Sequence, residues 1–223
     1  MAAAREARDH DRAAATYDAA AEAYAARLSD ELEHKPLDRA LLTALLDARP
    51  AGSRVADLGC GPGHVSGWMA ARGASCVGID VSPRMVELAR LAEPAAEFRE
   101  GDLLSLPAGE AEFGAIVALY SVIHLMRDEL APAFAEMRRV LVPGGQALVS
   151  FHVGDEVRHV TDLWGAEVDL DFRFLLPADV SVAMEEAGLA VEARLEREPY
   201  PEEVVTRRCY LLGRRPPTGG KEG

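Results

Sequence analysis

Apolar positions recur at helical spacing through the first quarter of the chain. In the alanine-rich segment 11–28, Tyr17, Ala21, Tyr24 and Leu28 fall four, three and four residues apart, which sets both tyrosines on one helix face. A second helix is expected over 36–48, with Leu37, Leu41 and Leu45 in line, Pro36 in its first turn, and Pro50 and Gly52 as its stop. From Arg54 onward short apolar runs alternate with helical segments. Residues 55–58, 76–79, 97–99, 113–119 and 147–151 read as strands. Helices between them carry Val65, Trp68 and Met69, then Met85, Leu88 and Ala89, then Phe134, Met137 and Leu141, the last ending at Pro143-Gly144-Gly145. Repeated strand–helix units predict an α/β fold built on a parallel sheet covered on both faces.

The pattern loosens after the fifth strand. Residues 153–176 read as an irregular stretch, although Val168, Leu170, Phe172 and Phe174 alternate with Asp169, Asp171 and Arg173 like a half-buried ribbon. An insert of this length is either the roof of a pocket, with Trp164 nearby, or a ribbon filling out the sheet edge. A helix with Val180, Ala183, Met184 and Ala187 closes at Gly188, and the runs 191–195 and 205–212 suit an antiparallel pair. The segment from Arg214 onward, rich in proline and glycine, reads as a disordered tail.

Composition narrows the partners. The chain has 223 residues, enough for one well-buried domain, and 49% of them are hydrophobic. Its formal charge of −13 would repel a phosphate backbone, so no nucleic-acid partner is expected. The longest uncharged apolar run, 113–126, is too short for a bilayer span, and the charged N-terminus has no apolar signal core, so a cytoplasmic protein without a membrane partner is expected. The three cysteines, Cys60, Cys76 and Cys209, show no CxxC spacing; neither a disulfide framework nor a metal site is expected.

The segment that carries chemistry is Val55-Ala56-Asp57-Leu58-Gly59-Cys60-Gly61-Pro62-Gly63-His64. Glycines at a strand-to-helix turn let a ligand approach the backbone where a β-carbon would collide. A dinucleotide fingerprint needs its third glycine at position 64, which is His, and no Gly-Lys-Ser/Thr of a phosphate loop is present. The segment instead resembles the first motif of the class I S-adenosylmethionine-dependent methyltransferases, an acidic residue followed by Gly-x-Gly-x-Gly. Asp80 at the end of the second strand resembles the family's ribose-binding acid, and Asp102 in Gly101-Asp102-Leu103 its adenine contact. Residues 113–121 and 139–145 are similar to the fourth motif and to the turn before the fifth strand. Tyr17-Asp18-Ala19-Ala20-Ala21-Glu22-Ala23-Tyr24 resembles the helix that closes over the methyl donor in many members.

The resemblance implies a Rossmann-like, doubly wound and mostly parallel seven-stranded sheet with a C-terminal antiparallel strand and an N-terminal helical cap. It divides the chain into a cap (1–50), a core (51–213) with an acceptor-pocket insert (153–176), and a flexible tail (214–223). It implies S-adenosylmethionine as cofactor, S-adenosylhomocysteine as product, and no metal. The cofactor contacts it implies are Tyr17, Tyr24, Asp57, Gly59, Cys60, Gly61, Gly63, Asp80, Val81, Met85, Asp102, Leu103, Leu119 and Tyr120. Asp57, Asp80 and Asp102 fall at strand ends, where open α/β sheets bind ligands, and their charge suits an ammonium, a ribose diol and a sulfonium.

For the acceptor, His124 follows the fourth strand and His152 ends the fifth, and either is a candidate to take a proton. Leu119-Tyr120-Ser121-Val122 lacks the Asn/Asp-Pro-Pro-aromatic signature of base methylation. The expectation is therefore methylation of a small-molecule acceptor, on oxygen before nitrogen, by a monomer or homodimer. A non-methylating enzyme such as a cyclase, or a cofactor-binding regulatory protein, is the alternative on the same fold.

Overall fold

The structure is a computed structural model that describes residues 3–201 and 203–217. Its main sheet has seven strands in the order β3-β2-β1-β4-β5-β9-β8, and a separate two-stranded hairpin pairs β6 with β7. The strands are β1 (Arg54–Leu58), β2 (Cys76–Asp80), β3 (Glu97–Glu100), β4 (Phe113–Leu119), β5 (Leu141–His152), β6 (Val157–Leu163), β7 (Ala166–Arg173), β8 (Ala190–Arg197) and β9 (Arg208–Arg214). The helices are α1 (Ala3–Leu28), α2 (Pro36–Ala48), α3 (His64–Ala70), α4 (Pro83–Ala92), α5 (Leu130–Val140) and α6 (Pro177–Glu186). β1 to β5 pair in parallel, and β9 runs antiparallel to both β5 and β8.

Side-chain alternation along the central strands explains the two covered faces. Ala56, Ile116 and Val149 face one core with Phe134 and Met137 of α5 and Val180 and Met184 of α6. Their neighbours Val55, Val117 and Leu148 face the other, with Leu42 and Leu45 of α2 and Val65 and Met69 of α3. A strand buried on both sides must be apolar at every position, which is why Phe113–Leu119 shows no polar residue. Ser82 caps α4, its hydroxyl accepting from the Met85 N–H, and Pro83 fills the first turn.

Four boundaries differ from the reading of the sequence. β5 begins at Leu141, not 147: the Pro-Gly-Gly segment joins the strand through an irregular register between Leu141 and Gln146, opposite Phe113 and Ala115. Residues 153–176, expected to be irregular, contain the β6–β7 hairpin, in which Val168, Leu170 and Phe174 are buried. The last strand begins at Arg208, not 205, because the preceding loop turns on a Thr206 N–H bond to Val204 O. The expected tail start at Arg214 is the last residue of β9, and the Arg215 N–H donates to Gly145 O at 2.9 Å. Residues 218–223 of that tail lie outside the described residues. Among the described residues, no helix is long and apolar enough to cross a membrane.

β1, β2 and β3 step outward in one direction, and the chain then returns to β4 on the other side of β1. The crevice at the carboxyl ends of β1 and β4 is thus the point where strand order reverses.

Candidate functional site

Two loops meet in that crevice. Gly59, Gly61 and Gly63 in the turn after β1 all have positive φ, at 71°, 52° and 90°. Gly59 is required for a second reason: a β-carbon there would stand 2.4 Å from the Ser121 Cβ of the loop after β4. The Gly61 and Ser82 N–H groups donate to Asp80 Oδ2 and Oδ1 at 2.8 and 2.9 Å. Asp80 is buried, and burial raises its carboxyl above the usual range against those two hydrogen bonds.

A cavity of about 830 Å³, measured out to its open mouth, lies over these strand ends. Its floor and sides are made by Gly59, Gly61, Asp80, Val81, Met85, Asp102, Leu103, Leu119 and Tyr120, and Tyr17, Tyr24 and His124 complete the wall. Four implied contacts do not reach the wall. Asp57 is buried beneath the turn, where its carboxylate accepts from Ser66 Oγ at 2.7 Å and burial pushes its pKa up to about 6. Cys60 packs with Val86, Ala89 and Phe98, and Gly63 gives room to the Phe98 ring. His152 stands behind Tyr120. Conversely, Ala13, Gly101, Ser121 and Leu125 border the cavity without having been singled out. Ala13 lies one helical turn before Tyr17, and Gly101 and Ser121 adjoin named strand-end residues, so position alone could have found them.

The roof joins α1 to the β6–β7 hairpin. Tyr17 Oη is 2.7 Å from His124 Nε2, and the Tyr17 ring meets both Tyr24 and His124 edge-on. Trp164, at the hairpin tip, packs against Tyr24, and Phe172 packs against His124. Thr16 Oγ1 donates to the Asp169 carbonyl at 3.3 Å, and Arg12 faces Asp169 and Asp171 at 3.6 and 3.8 Å. Asp18 ties the same helix to α4 by accepting from Ser82 Oγ and the Arg84 N–H. Burial raises the phenols of Tyr17 and Tyr24 far above neutrality, so both stay protonated. Burial lowers His124 to about 4, with the Arg173 charge adding to it and the Asp171 carbonyl opposing.

Behind the cavity, Tyr120 has φ 57°, a left-handed conformation rare for an aromatic residue, and its N–H is held by Ser150 O at 3.0 Å. Its hydroxyl lies 3.4 Å from that of Tyr210, which in turn donates to the buried Asp38 at 2.9 Å. The Lys35 ammonium sits 5.6 Å from the Tyr120 ring centre and is held by Glu31. His152 packs between Tyr120 and Phe174 and bonds Thr206 Oγ1 through Nδ1 at 2.8 Å; burial lowers it to about 4. No motif announces this network, because Asp38 and Tyr210 meet only through the packing of α2 on β9.

The residues fit S-adenosylmethionine. Asp80 and Asp102 present carboxylates to one cavity, a glycine turn leaves its backbone open there, and Ser121 Oγ is buried at the wall without a hydrogen-bond partner. Among the described residues, no cluster of three His, Cys, Asp or Glu side chains could hold a metal.

Residues 55–145 match the model of a methyltransferase domain family. The chain is 35% identical over 102 residues to an uncharacterized methyltransferase of Synechocystis, covering 45% of this chain and 48% of the relative. It is 29% identical over 136 residues to a malonyl-[acyl-carrier protein] O-methyltransferase of Enterobacter lignolyticus, covering 60% and 53%. The chain thus spans about half the length of these curated relatives. A solved S-adenosylmethionine-dependent methyltransferase from Methanosarcina mazei superposes with a TM-score of 0.70 at 16% identity, over 78% of this chain and 98% of that one. The matched domain, the strand order and the cavity at the switch point together place the chain in the class I S-adenosylmethionine-dependent methyltransferase family.

Proposed function

We propose that the protein transfers a methyl group from S-adenosylmethionine to an oxygen of a small-molecule acceptor. The observation that carries this reading is the cavity over the ends of β1, β2 and β4, which gathers Asp80, Asp102 and the Gly59–Gly61 turn beneath Tyr17, Tyr24 and His124. The O-methyltransferase among the relatives supports oxygen as the receiving atom. When bound, the donor supplies an electrophilic methyl on a sulfonium.

The chain's own residues then have separable tasks. Asp80 and Asp102 hold the ribose and adenine, and the open backbone of the glycine turn accommodates the amino-acid portion. Helices α1 and α2 act as the cap. The rings of Tyr17 and Tyr24 shield the cationic centre and exclude water. Much of the rate comes from alignment, since methyl transfer is an in-line displacement. His124 serves as the proton acceptor, paired with the Tyr17 hydroxyl. A pKa of about 4 makes it a weak base, but an oxygen that is gaining a methyl becomes a strong acid, so a weak base suffices. His152, screened by Tyr120, is left a supporting role.

Calorimetric titration with S-adenosylmethionine and S-adenosylhomocysteine tests the reading. Micromolar binding of both is expected, with S-adenosylhomocysteine produced once an acceptor is supplied. Failure of both to bind would sink it.

A further inference from the structure

The hydrogen bonds behind Tyr120 run in one direction. Asp38 is a buried carboxylate that faces the Arg197 guanidinium at 3.4 Å, and an ionised carboxylate only accepts. The Tyr210 hydroxyl donates its proton to Asp38 Oδ1 at 2.9 Å. One Tyr210 lone pair receives the Arg197 Nε–H at 3.0 Å, since a guanidinium only donates. What Tyr210 has left for Tyr120 is a lone pair. The Tyr120 hydroxyl therefore donates to Tyr210, across a 3.4 Å separation that is long for such a bond in a ligand-free site. With its single proton committed inward, the Tyr120 oxygen has only lone pairs to offer the cavity it borders.

We propose that Asp38, Tyr210 and Tyr120 set the hydrogen-bond polarity of the acceptor site, so that it selects an acceptor carrying its own proton, a neutral hydroxyl or amine, and rejects an ionised carboxylate. This assignment rests on the methyltransferase reading and narrows its substrate class. A neutral hydroxyl finds a lone pair at Tyr120, and its proton has His124 on the same cavity wall. A carboxylate brings lone pairs against lone pairs. The Lys35 ammonium near the Tyr120 ring does not relieve that repulsion, because Glu31 holds it at 2.5 Å. The left-handed backbone of Tyr120 fits the same purpose, because it aims the ring from the end of β4 toward β9. Tyr120 is the specificity-determining residue, and Tyr210 and Asp38 are positioning residues that act through it.

The test uses three probes with one ring system and different head groups: 2-naphthol, 2-naphthylamine and 2-naphthoate. Their binding to the protein saturated with S-adenosylhomocysteine is measured by calorimetry at pH 7. The neutral probes are expected to bind about tenfold or more tighter than naphthoate, the size of one hydrogen bond made or refused. Tyr210→Phe frees the Tyr120 proton, so naphthoate should gain affinity and the preference should collapse while S-adenosylhomocysteine affinity holds. If that buried change prevents folding, Tyr120→Phe gives a separate reading: affinity for naphthol should fall and affinity for naphthoate should not. Naphthoate binding as tightly as naphthol to the unaltered protein, or a preference that survives both substitutions, overturns the polarity assignment alone. Failure of S-adenosylhomocysteine to bind overturns the methyltransferase reading together with it.

Discussion

Lowering the pH from 7 to 5 should cost the folded protein stability through His124, and the size of the loss follows from its surroundings. Burial between Tyr17 and Phe172 holds the imidazole neutral down to about 4, against an ordinary value of 6.5. The unfolded chain takes up a proton near the ordinary value, whereas the folded chain refuses it until the lower one. A depressed folded value therefore contributes stability that is complete above 6.5 and drains away as the pH falls toward 4. At pH 5 the unfolded state is almost fully protonated at this site and the folded state almost not at all. The linkage integral between pH 7 and 5 is about 2 kcal/mol. Urea unfolding of the wild type and of His124→Asn at both pH values isolates this amount as a difference between two differences. The comparison matters because Asp57 works the other way. Its folded value is raised to about 6, so it binds a proton more readily folded than unfolded and gains stability as the pH falls. The raw pH dependence of the wild type mixes both effects; the variant comparison does not. Wild type should lose about 2 kcal/mol more than His124→Asn. Equal losses would refute the claim that this imidazole is held neutral by burial.

Asp80→Asn should weaken S-adenosylhomocysteine binding at least about tenfold by calorimetry, because the neutral amide loses charge-assisted bonds and offers an N–H where the Gly61 and Ser82 N–H groups need an acceptor. Gly59→Ala should lower unfolding free energy by about 2 kcal/mol or more, since its β-carbon meets Ser121 Cβ at 2.4 Å on a left-handed backbone; Ser121→Gly in the same chain should recover part of it. Trp164→Ala should reduce donor affinity about fivefold by releasing Tyr24 from the hairpin tip, and an unchanged affinity would show that the roof does not help to hold the donor.

The order of strands and helices from Arg54 to Leu119 was legible because each element is short and local. Phe113–Leu119 is apolar throughout, and Ser82-Pro83 is a complete helix start within two residues. The glycine turn and Asp80 were legible for a related reason: a strand end next to a turn is a place the chain specifies by itself. The β5 start was not, because Pro143-Gly144-Gly145 reads as a stop on propensity. It becomes strand only when Leu141 finds Phe113 and Gln146 finds Ala115 across an irregular register.

The sequence alone determined the fold class and most of the donor-side wall, since both follow from local periodicity and from motifs contained in a few consecutive residues. Tertiary structure alone decided which of those residues reach the cavity. Asp57 satisfies the same motif as before but spends its carboxylate on Ser66, and His152 ends its strand as expected yet stands behind Tyr120. Packing also decided which proton points where. The chain from Asp38 through Tyr210 to Tyr120 joins α2, β9 and the end of β4, elements far apart in sequence. Hydrogen-bond direction is a property of the assembled network: each hydroxyl has one proton, and only the whole set of neighbours settles where it goes.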